Sequence, residues 1–145
     1  MNLIIGIGNT LRNDDGIGAL IVSQIKKENW PDVEIKIAHQ LHLEDVENFL
    51  AYQKIIVVDA SCNQDNRGDY HLEKIDSSFS VALSSSHHLS LQMLVELARR
   101  LYNKEIHLFL CSIRGLNFDI GETISPSVLL AVPKAIELIA NEIAM

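Results

Sequence analysis

Cysteines, basic residues and long apolar runs are all scarce in this chain. Its 145 residues include two cysteines, Cys62 and Cys111, which are too few for a disulfide framework or a four-cysteine zinc site. No apolar stretch approaches the roughly 18 residues that a membrane span needs. No basic segment with a cleavage site precedes the first apolar run, so we expect no signal peptide. These absences predict a cytoplasmic protein without a membrane partner.

The charge balance disfavours a nucleic-acid partner. The chain has 12 basic and 19 acidic residues, which gives a formal net charge of -7. Such a protein is a poor ligand for a phosphate backbone. Apolar residues make up 48% and charged residues 21% of the chain, a balance typical of folded proteins. The length predicts a single domain over residues 1–145, long enough to bury a sizeable core.

A glycine-rich stretch dominates the start of the chain. It reads Gly-Ile-Gly-Asn-Thr-Leu-Arg-Asn-Asp-Asp-Gly-Ile-Gly over residues 6–18. An apolar strand-like run precedes it and an apolar helical pattern follows it, the order in which open α/β sheets build a ligand crevice. Asp14 and Asp15 stand just before the helix, where one carboxylate is enough to cap free backbone N–H groups. We expect one of them to cap the helix and the other to face the crevice.

Strand-like and helix-like segments alternate along the whole chain. Apolar runs or alternating patterns predict strands at residues 3–7, 33–38, 54–58, 68–74 and 106–113. Helical periodicity predicts helices at residues 18–28, 43–51, 89–102 and 126–144. The polar 33–38 segment has the alternation of an edge strand. The succession of strand-like and helix-like segments predicts an α/β fold with a parallel or mixed sheet and helices on both faces.

Chemistry-bearing residues follow the predicted strands. Asp15 lies after the first strand, Asp59 ends the 54–58 strand, and His87 and His88 occupy a predicted loop before a helix. Two carboxylates and one imidazole suit nickel or zinc and leave positions open for a substrate. The alternatives are that Asp59 caps the next turn and that the histidines are merely exposed. His39 and His42 flank a loop at another strand end and are further candidates for the crevice.

Two other site types fit the chain poorly. The dinucleotide-binding fingerprint requires a third glycine where this chain has Leu11, and an acidic residue after the second strand, which ends in Ala38-His39. Two carboxylates would also repel a pyrophosphate. The sequence has no Gly-x-Ser-x-Gly elbow, and its local context suggests no Cys–His pair, so it offers no obvious nucleophile for covalent catalysis.

The glycine-rich stretch resembles the N-terminal motif of the hydrogenase maturation endopeptidases, which trim the large subunit of nickel–iron hydrogenases. Residues 55–60 (Ile-Ile-Val-Val-Asp-Ala) look like that family's second acidic strand end. Residues 86–91 look like its histidine loop, and residues 118–126 look like the loop before its last helix. The four motifs occur in the right order over nearly the whole chain.

This resemblance implies a fold, a ligand set and an activity. The fold is a three-layer αβα sandwich around a twisted, mostly parallel sheet. The implied metal ligands and catalytic residues are Asp15, Asp59 and His87, with His88 one position away as the competing ligand. The implied substrate-binding residues around them are these: Gly8, Asn9, Asp14, His39 and His88.

The implied reaction is one cut that releases a C-terminal extension from a large-subunit precursor already loaded with nickel. The enzyme would be a metal-dependent peptidase of unusual aspartic type. It would recognise the nickel that the substrate carries, and the free enzyme need not hold a metal stably. Whether the nickel acts in catalysis or only positions the peptide stays open at this point.

The stretch His39-Gln-Leu-His42 stands where many family members have Asp-Gly-Gly. It resembles the branch that serves NAD-linked bidirectional hydrogenases. Because the implied partner is large, we expect a monomer that docks transiently.

Two alternatives to the protease stay open. One is a metal-sensing binding module or chaperone that has lost cleavage. The other is a different hydrolase on a related fold. Peptidyl-tRNA hydrolase shares the Gly-x-Gly-Asn strand end, but its sequence continues differently, and the acidic net charge disfavours its RNA substrate.

Overall fold

The computed structural model describes residues 1–62, 69–76 and 86–145, and the side chains of residues 86–90 lie outside this description. Within the described residues, five strands form one sheet in the order β2-β1-β3-β5-β4. The strands are β1 (Asn2–Ile7), β2 (Val33–Ala38), β3 (Ile55–Ser61), β4 (Tyr70–Ile75) and β5 (Leu108–Arg114). All neighbouring pairs are parallel except β4 with β5. The polar strand at 33–38 is an edge strand, as its alternation predicts.

Helices cover both faces of the sheet. They are α1 (Ile17–Glu28), α2 (Val46–Phe49), α3 (Ser86–Tyr102), α4 (Pro126–Leu129) and α5 (Val132–Ala144). One apolar cluster joins one sheet face to α2 and α3. A second cluster joins the opposite face to α1, α4 and α5. These two cores confirm the predicted α/β sandwich with a mostly parallel sheet. No helix in the described ranges is long and apolar enough to cross a membrane.

Several predicted boundaries differ from the structure. The helix predicted at 43–51 is a 3-10 turn, Leu43–Asp45, followed by the single turn of α2. The helix predicted at 126–144 is divided into α4 and α5. Pro133 explains the division, because it has no N–H to donate to the carbonyl four residues earlier. The helical period of the predicted 89–102 helix puts Leu101 on the buried side with Leu94 and Ala98, but Leu101 is 66% exposed.

Two boundary differences affect the predicted site. The 54–58 strand continues to Ser61, so Asp59 lies inside β3 rather than after its end. Helix α3 begins at Ser86, so His87 and His88 belong to its first turn rather than to a preceding loop. The serine-rich segment before this helix, at residues 76–86, falls mostly outside the described residues.

Close contact between α1 and the sheet fixes the position of the turn that precedes the helix. A Cβ atom on Gly18 would lie 2.4 Å from the carbonyl oxygen of Val58 and 2.9 Å from that of Ile7. Because both atoms belong to strand backbones, neither can move aside cheaply. The absence of a side chain at Gly18 therefore lets α1 begin directly against β1 and β3.

We expect Gly18→Ala to destabilise the fold by about 1–3 kcal/mol, the usual cost of overpacking. Gly16→Ala is the matched control, because the nearest atom to its added Cβ is the Cα of Thr10 at 3.3 Å. Urea unfolding followed by circular dichroism measures both free energies of unfolding. Equal stability of the two variants would contradict this account of the α1 contact.

Candidate active site

The candidate site lies at the carboxyl edge of the sheet, where β1 runs into the glycine-rich loop. Gly8 has a φ of 134°, and a Cβ on it would lie 2.1 Å from the carbonyl oxygen of Asp15. A glycine is required here because both the backbone angle and the space exclude a side chain. The amide of Gly8 also donates to the carbonyl oxygens of Ala38 and His39, at 3.3 and 3.2 Å. These contacts bring the loop after β1 against the end of β2.

Asp15 presents one carboxylate oxygen to this edge. Its side chain is half-buried, and Oδ2 accepts a hydrogen bond from the amide of Asn9 at 2.7 Å. Across the described ranges, no hydrogen bond reaches Oδ1. Asp15 caps neither the 3-10 turn Asn13–Gly16 nor α1. It is therefore the member of the Asp14–Asp15 pair that is able to hold a ligand.

Asp14 is wrongly predicted as a substrate-binding residue. Its side chain is fully buried. Oδ2 accepts from the amides of Leu116 and Asn117 at 2.8 and 2.9 Å and from the Ser125 hydroxyl at 2.8 Å. Oδ1 accepts from the amide of Ser125 at 2.7 Å. The expected local cap is also absent, since Asp14 binds a loop more than 100 positions away.

These hydrogen bonds decide the charge state of Asp14. Burial alone would raise its pKa, because a charged carboxylate is poorly solvated in a protein interior. The hydrogen bonds from Ser125, Leu116 and Asn117 outweigh burial, so the pKa lies below its ordinary value. Asp14 is accordingly a carboxylate at neutral pH. Ser125 occupies the N-cap position of α4, but its hydroxyl donates to Asp14 and does not cap the helix.

Asn13 reinforces the same connection, a role that the sequence analysis missed. Its amide donates to Gly121 O at 2.7 Å, and its Nδ2 donates to Asp119 O at 3.0 Å. Its Oδ1 accepts from the amide of Thr123 at 3.0 Å. Asn13 has a φ of 47°, a conformation that asparagine tolerates better than most residues. An asparagine before two aspartates in a turn was the available sequence signal.

Asp59 supplies a second carboxylate near this edge. It is 3% exposed and lies in β3 opposite Ser112 of β5. Side chains alternate along a strand, so Asp59 shares its face with Ile55 and Val57, which pack in the cluster that includes α3. The 3-10 turn that carries Asp15 contacts β3 directly. The fold thus brings Asp15, in the turn after β1, and Asp59, in the neighbouring strand β3, to one region.

The predicted histidine ligand comes from α3. Five residues separate the end of α3 from β5, and Leu108 of β5 pairs with Ile55 at the amino edge. The helix therefore ends near the amino edge, and its first turn, with His87 and His88, lies toward the carboxyl edge. Their side chains lie outside the described residues, so the choice between them stays open. Among the described residues alone, no group of three metal-binding side chains is present.

His39 and His42 are both exposed and border a depression of about 480 Å³ at the carboxyl end of β2. Ala38, Gln40 and Asp45 complete its lining. The depression adjoins the candidate site, because Gly8 donates to the carbonyl oxygens of Ala38 and His39. Its position is compatible with the predicted role of His39 in substrate binding, which stays a prediction.

Cys111 lacks the features of a nucleophile. Cys111 is fully buried, and burial raises the pKa of its thiol to about 12. A thiol with such a pKa is almost wholly protonated at neutral pH and is a poor nucleophile. Cys62 is exposed at the end of β3.

Comparison with known proteins identifies the family. A family model described as HycI, hydrogenase maturation protease, matches residues 21–142 of the chain. This chain belongs to the hydrogenase maturation protease family. Membership makes it a peptidase that acts in the processing of a hydrogenase large subunit, as its four motifs predict. The matched residues begin after the glycine-rich motif, so the match does not depend on that motif.

A curated relative supports the same assignment. The protein named "Putative hydrogenase maturation protease MJ0253", from Methanocaldococcus jannaschii, is 34% identical over 153 residues. The alignment covers 97% of this chain and 95% of the relative. The family resemblance therefore extends over nearly the full length of both proteins.

Solved structures of family members share the fold. The hydrogenase maturating endopeptidase HybD from E. coli has a TM-score of 0.76 at 20% identity, over 95% of this chain and 88% of its own. The hydrogenase maturation protease HycI from Thermococcus kodakarensis has a TM-score of 0.73 at 23% identity, over 97% and 90%. At these identities the two structures establish the fold.

Asp14→Asn tests the charged state of the buried carboxylate. Its pKa is lower in the folded than in the unfolded chain, so its stabilisation is present above the unfolded pKa and is lost as the pH falls through the folded pKa. We expect the variant to lose about 1–3 kcal/mol of unfolding free energy at pH 7. The difference from wild type should shrink below about pH 4.

Urea unfolding between pH 3 and pH 7 measures this difference, with the exposed Asp32→Asn as the matched control. A pH-independent difference between wild type and Asp14→Asn would show that the charge of Asp14 adds no stability.

Proposed function

We propose that this protein is an endopeptidase that removes a C-terminal extension from the nickel-loaded large-subunit precursor of a nickel–iron hydrogenase. We further propose that it recognises the bound nickel through Asp15, Asp59 and His87. The observation that carries this proposal is that Asp15, in the 3-10 turn after β1, and Asp59, in the neighbouring strand β3, lie in one region of the carboxyl edge. Asp15 also has a carboxylate oxygen that no described residue engages. Family membership supports the reaction class.

The donor set suits nickel that belongs to the substrate. Carboxylate oxygen and imidazole nitrogen are ligands that nickel accepts. Three such ligands leave coordination positions that donors of the precursor must fill, so the protein binds the ion weakly by itself. Nearby carboxylates also repel each other, and a cation between them relieves that repulsion. Both effects make binding of the precursor depend on its nickel.

The residues of the chain then act on a positioned peptide bond. Water adds to the scissile carbonyl carbon, the C–N bond breaks, and the leaving amine takes a proton. One of the two carboxylates accepts the proton of the attacking water and returns it to the amine, as in other general acid–base hydrolyses. Holding the peptide beside this carboxylate replaces an encounter in solution by a reaction within one complex. The nickel supplies positive charge that polarises the substrate at this point.

The finer assignments of the partner are part of this proposal. The stretch at residues 39–42 favours a precursor from the NAD-linked bidirectional hydrogenases. A monomer that docks transiently and works in the cytoplasm is the form that we expect. His39 and His42, at the rim of the depression after β2, are the residues through which this branch would differ from others.

The experiment is cleavage of the nickel-loaded precursor, followed by intact-mass spectrometry. Wild-type protein should remove one C-terminal fragment. We expect Asp15→Ala and Asp59→Asn each to lower the rate at least about 100-fold, because each removes a ligand and a charge. Asp32→Asn is the matched control, since Asp32 is exposed and lies before β2, at the opposite edge of the sheet.

Normal processing by a folded Asp15→Ala variant would overturn the site assignment. Binding of the precursor without any mass loss by wild type would instead support the metal-sensing module. Circular dichroism of each variant separates these outcomes from misfolding.

A further inference from the structure

The chain uses a buried charge to join two distant loops beside the candidate site. The first loop carries Asn13 and Asp14, and the second spans residues 115–125. Asp14 accepts four hydrogen bonds from the second loop, and its own amide donates to Asn117 O at 3.0 Å. The Nε of Arg12 donates to Phe118 O at 3.1 Å. Consecutive residues of the first loop are thus bonded to the second.

This connection is costly if its only purpose is stability. A carboxylate loses strongly favourable hydration on burial, and its hydrogen bonds must recover that loss. Apolar side chains of similar size often join two segments at least as well. A buried, fully bonded carboxylate does fix the direction of the backbone around it, because each acceptor oxygen has a preferred geometry. A fixed backbone direction matters most where the residue that follows in the chain is a functional one.

Asp15 is that next residue, and its own side chain is held lightly. A single hydrogen bond, from the amide of Asn9 at 2.7 Å, orients its carboxylate among the described residues. The amide of Asp15 donates to Arg12 O at 3.1 Å within the same turn. The orientation of Asp15 therefore depends on the turn that Asp14 fixes.

We propose that Asp14 is a positioning residue, which holds the turn so that Asp15 keeps its contact with Asn9 and directs Oδ1 toward the substrate. Ser125 is its partner in the second loop, because both its amide and its hydroxyl bind Asp14. The loop at 115–125 then belongs to the active-site support although it contributes no ligand. The catalytic part of this inference rests on the proposed protease function.

The structural part is tested by hydrogen exchange of the Asn9 amide, measured by NMR on the full chain. We expect Asp14→Asn to accelerate this exchange at least about tenfold under conditions where the variant is fully folded. Ser125→Ala should accelerate it less, because the amide of Ser125 still donates. Ser125→Thr should restore wild-type exchange, since it keeps the hydroxyl.

A core variant separates positioning from general destabilisation. Ile139 lies in α5, in the apolar cluster on the opposite face of the sheet. Ile139→Val should leave the exchange rate of the Asn9 amide unchanged when each protein is measured the same number of degrees below its own melting temperature. If Asp14→Asn retains wild-type exchange at Asn9, or if Ile139→Val accelerates it equally, the positioning role is overturned.

The catalytic part is tested with the nickel-loaded precursor at a temperature where every variant is folded. We expect Asp14→Asn to lower kcat roughly 10- to 100-fold, because a small displacement of a reacting group has an effect of this size. KM should rise as well, because the displaced Asp15 is also a proposed nickel ligand. Ser125→Thr and Ile139→Val should retain the wild-type kcat. An unchanged kcat for Asp14→Asn would overturn the proposal.

The two tests distinguish the proposals. If wild-type protein does not cleave the precursor, the proposed function fails, while Asn9 exchange still decides whether Asp14 positions Asp15. If wild type cleaves and Asp14→Asn behaves as wild type in both measurements, the function stands and the positioning role fails.

Discussion

A buried carboxylate is the constraint on which the rest of the site depends. Asp14 has both oxygens occupied by hydrogen bonds from residues 116–125, so it joins the loop after β1 to the loop after β5. Asn13 adds three hydrogen bonds between the same loops. The sheet brings the two loops to one edge, and these polar contacts determine how they meet. A single residue of the glycine-rich motif, Asp14, thereby controls the geometry of both loops.

Local patterns predicted the layers of the fold because burial on a sheet face or a helix face repeats with a short period. The edge position of β2 and the buried face of most of α3 follow from such patterns. Pro133 divides the last helix without changing the spacing of its apolar residues. Leu101 is exposed at the end of α3 although its spacing matches that of the buried positions. Neither is a property of periodicity.

The candidate site was only partly predictable for a different reason. Two signals predict the site residues Asp15, Asp59 and His87. Each lies at the end of a predicted strand or before a predicted helix, which is a local feature, and the family resemblance selects these three from the other polar residues. The burial of Asp14 depends on donors more than 100 positions away, and no local pattern records them. Adjacent aspartates look alike in sequence, yet one has its oxygens filled and the other has an oxygen that no described residue engages.

The central claim is that nickel in the precursor is what the carboxylates recognise. The most direct measurement is the intact mass of nickel-loaded and nickel-free precursor, each incubated with wild-type protein under the same conditions. This account predicts one C-terminal mass loss from the nickel-loaded precursor and none from the nickel-free precursor. Equal cleavage of both would contradict it and would leave the two carboxylates as hydrolytic groups without a role in metal recognition.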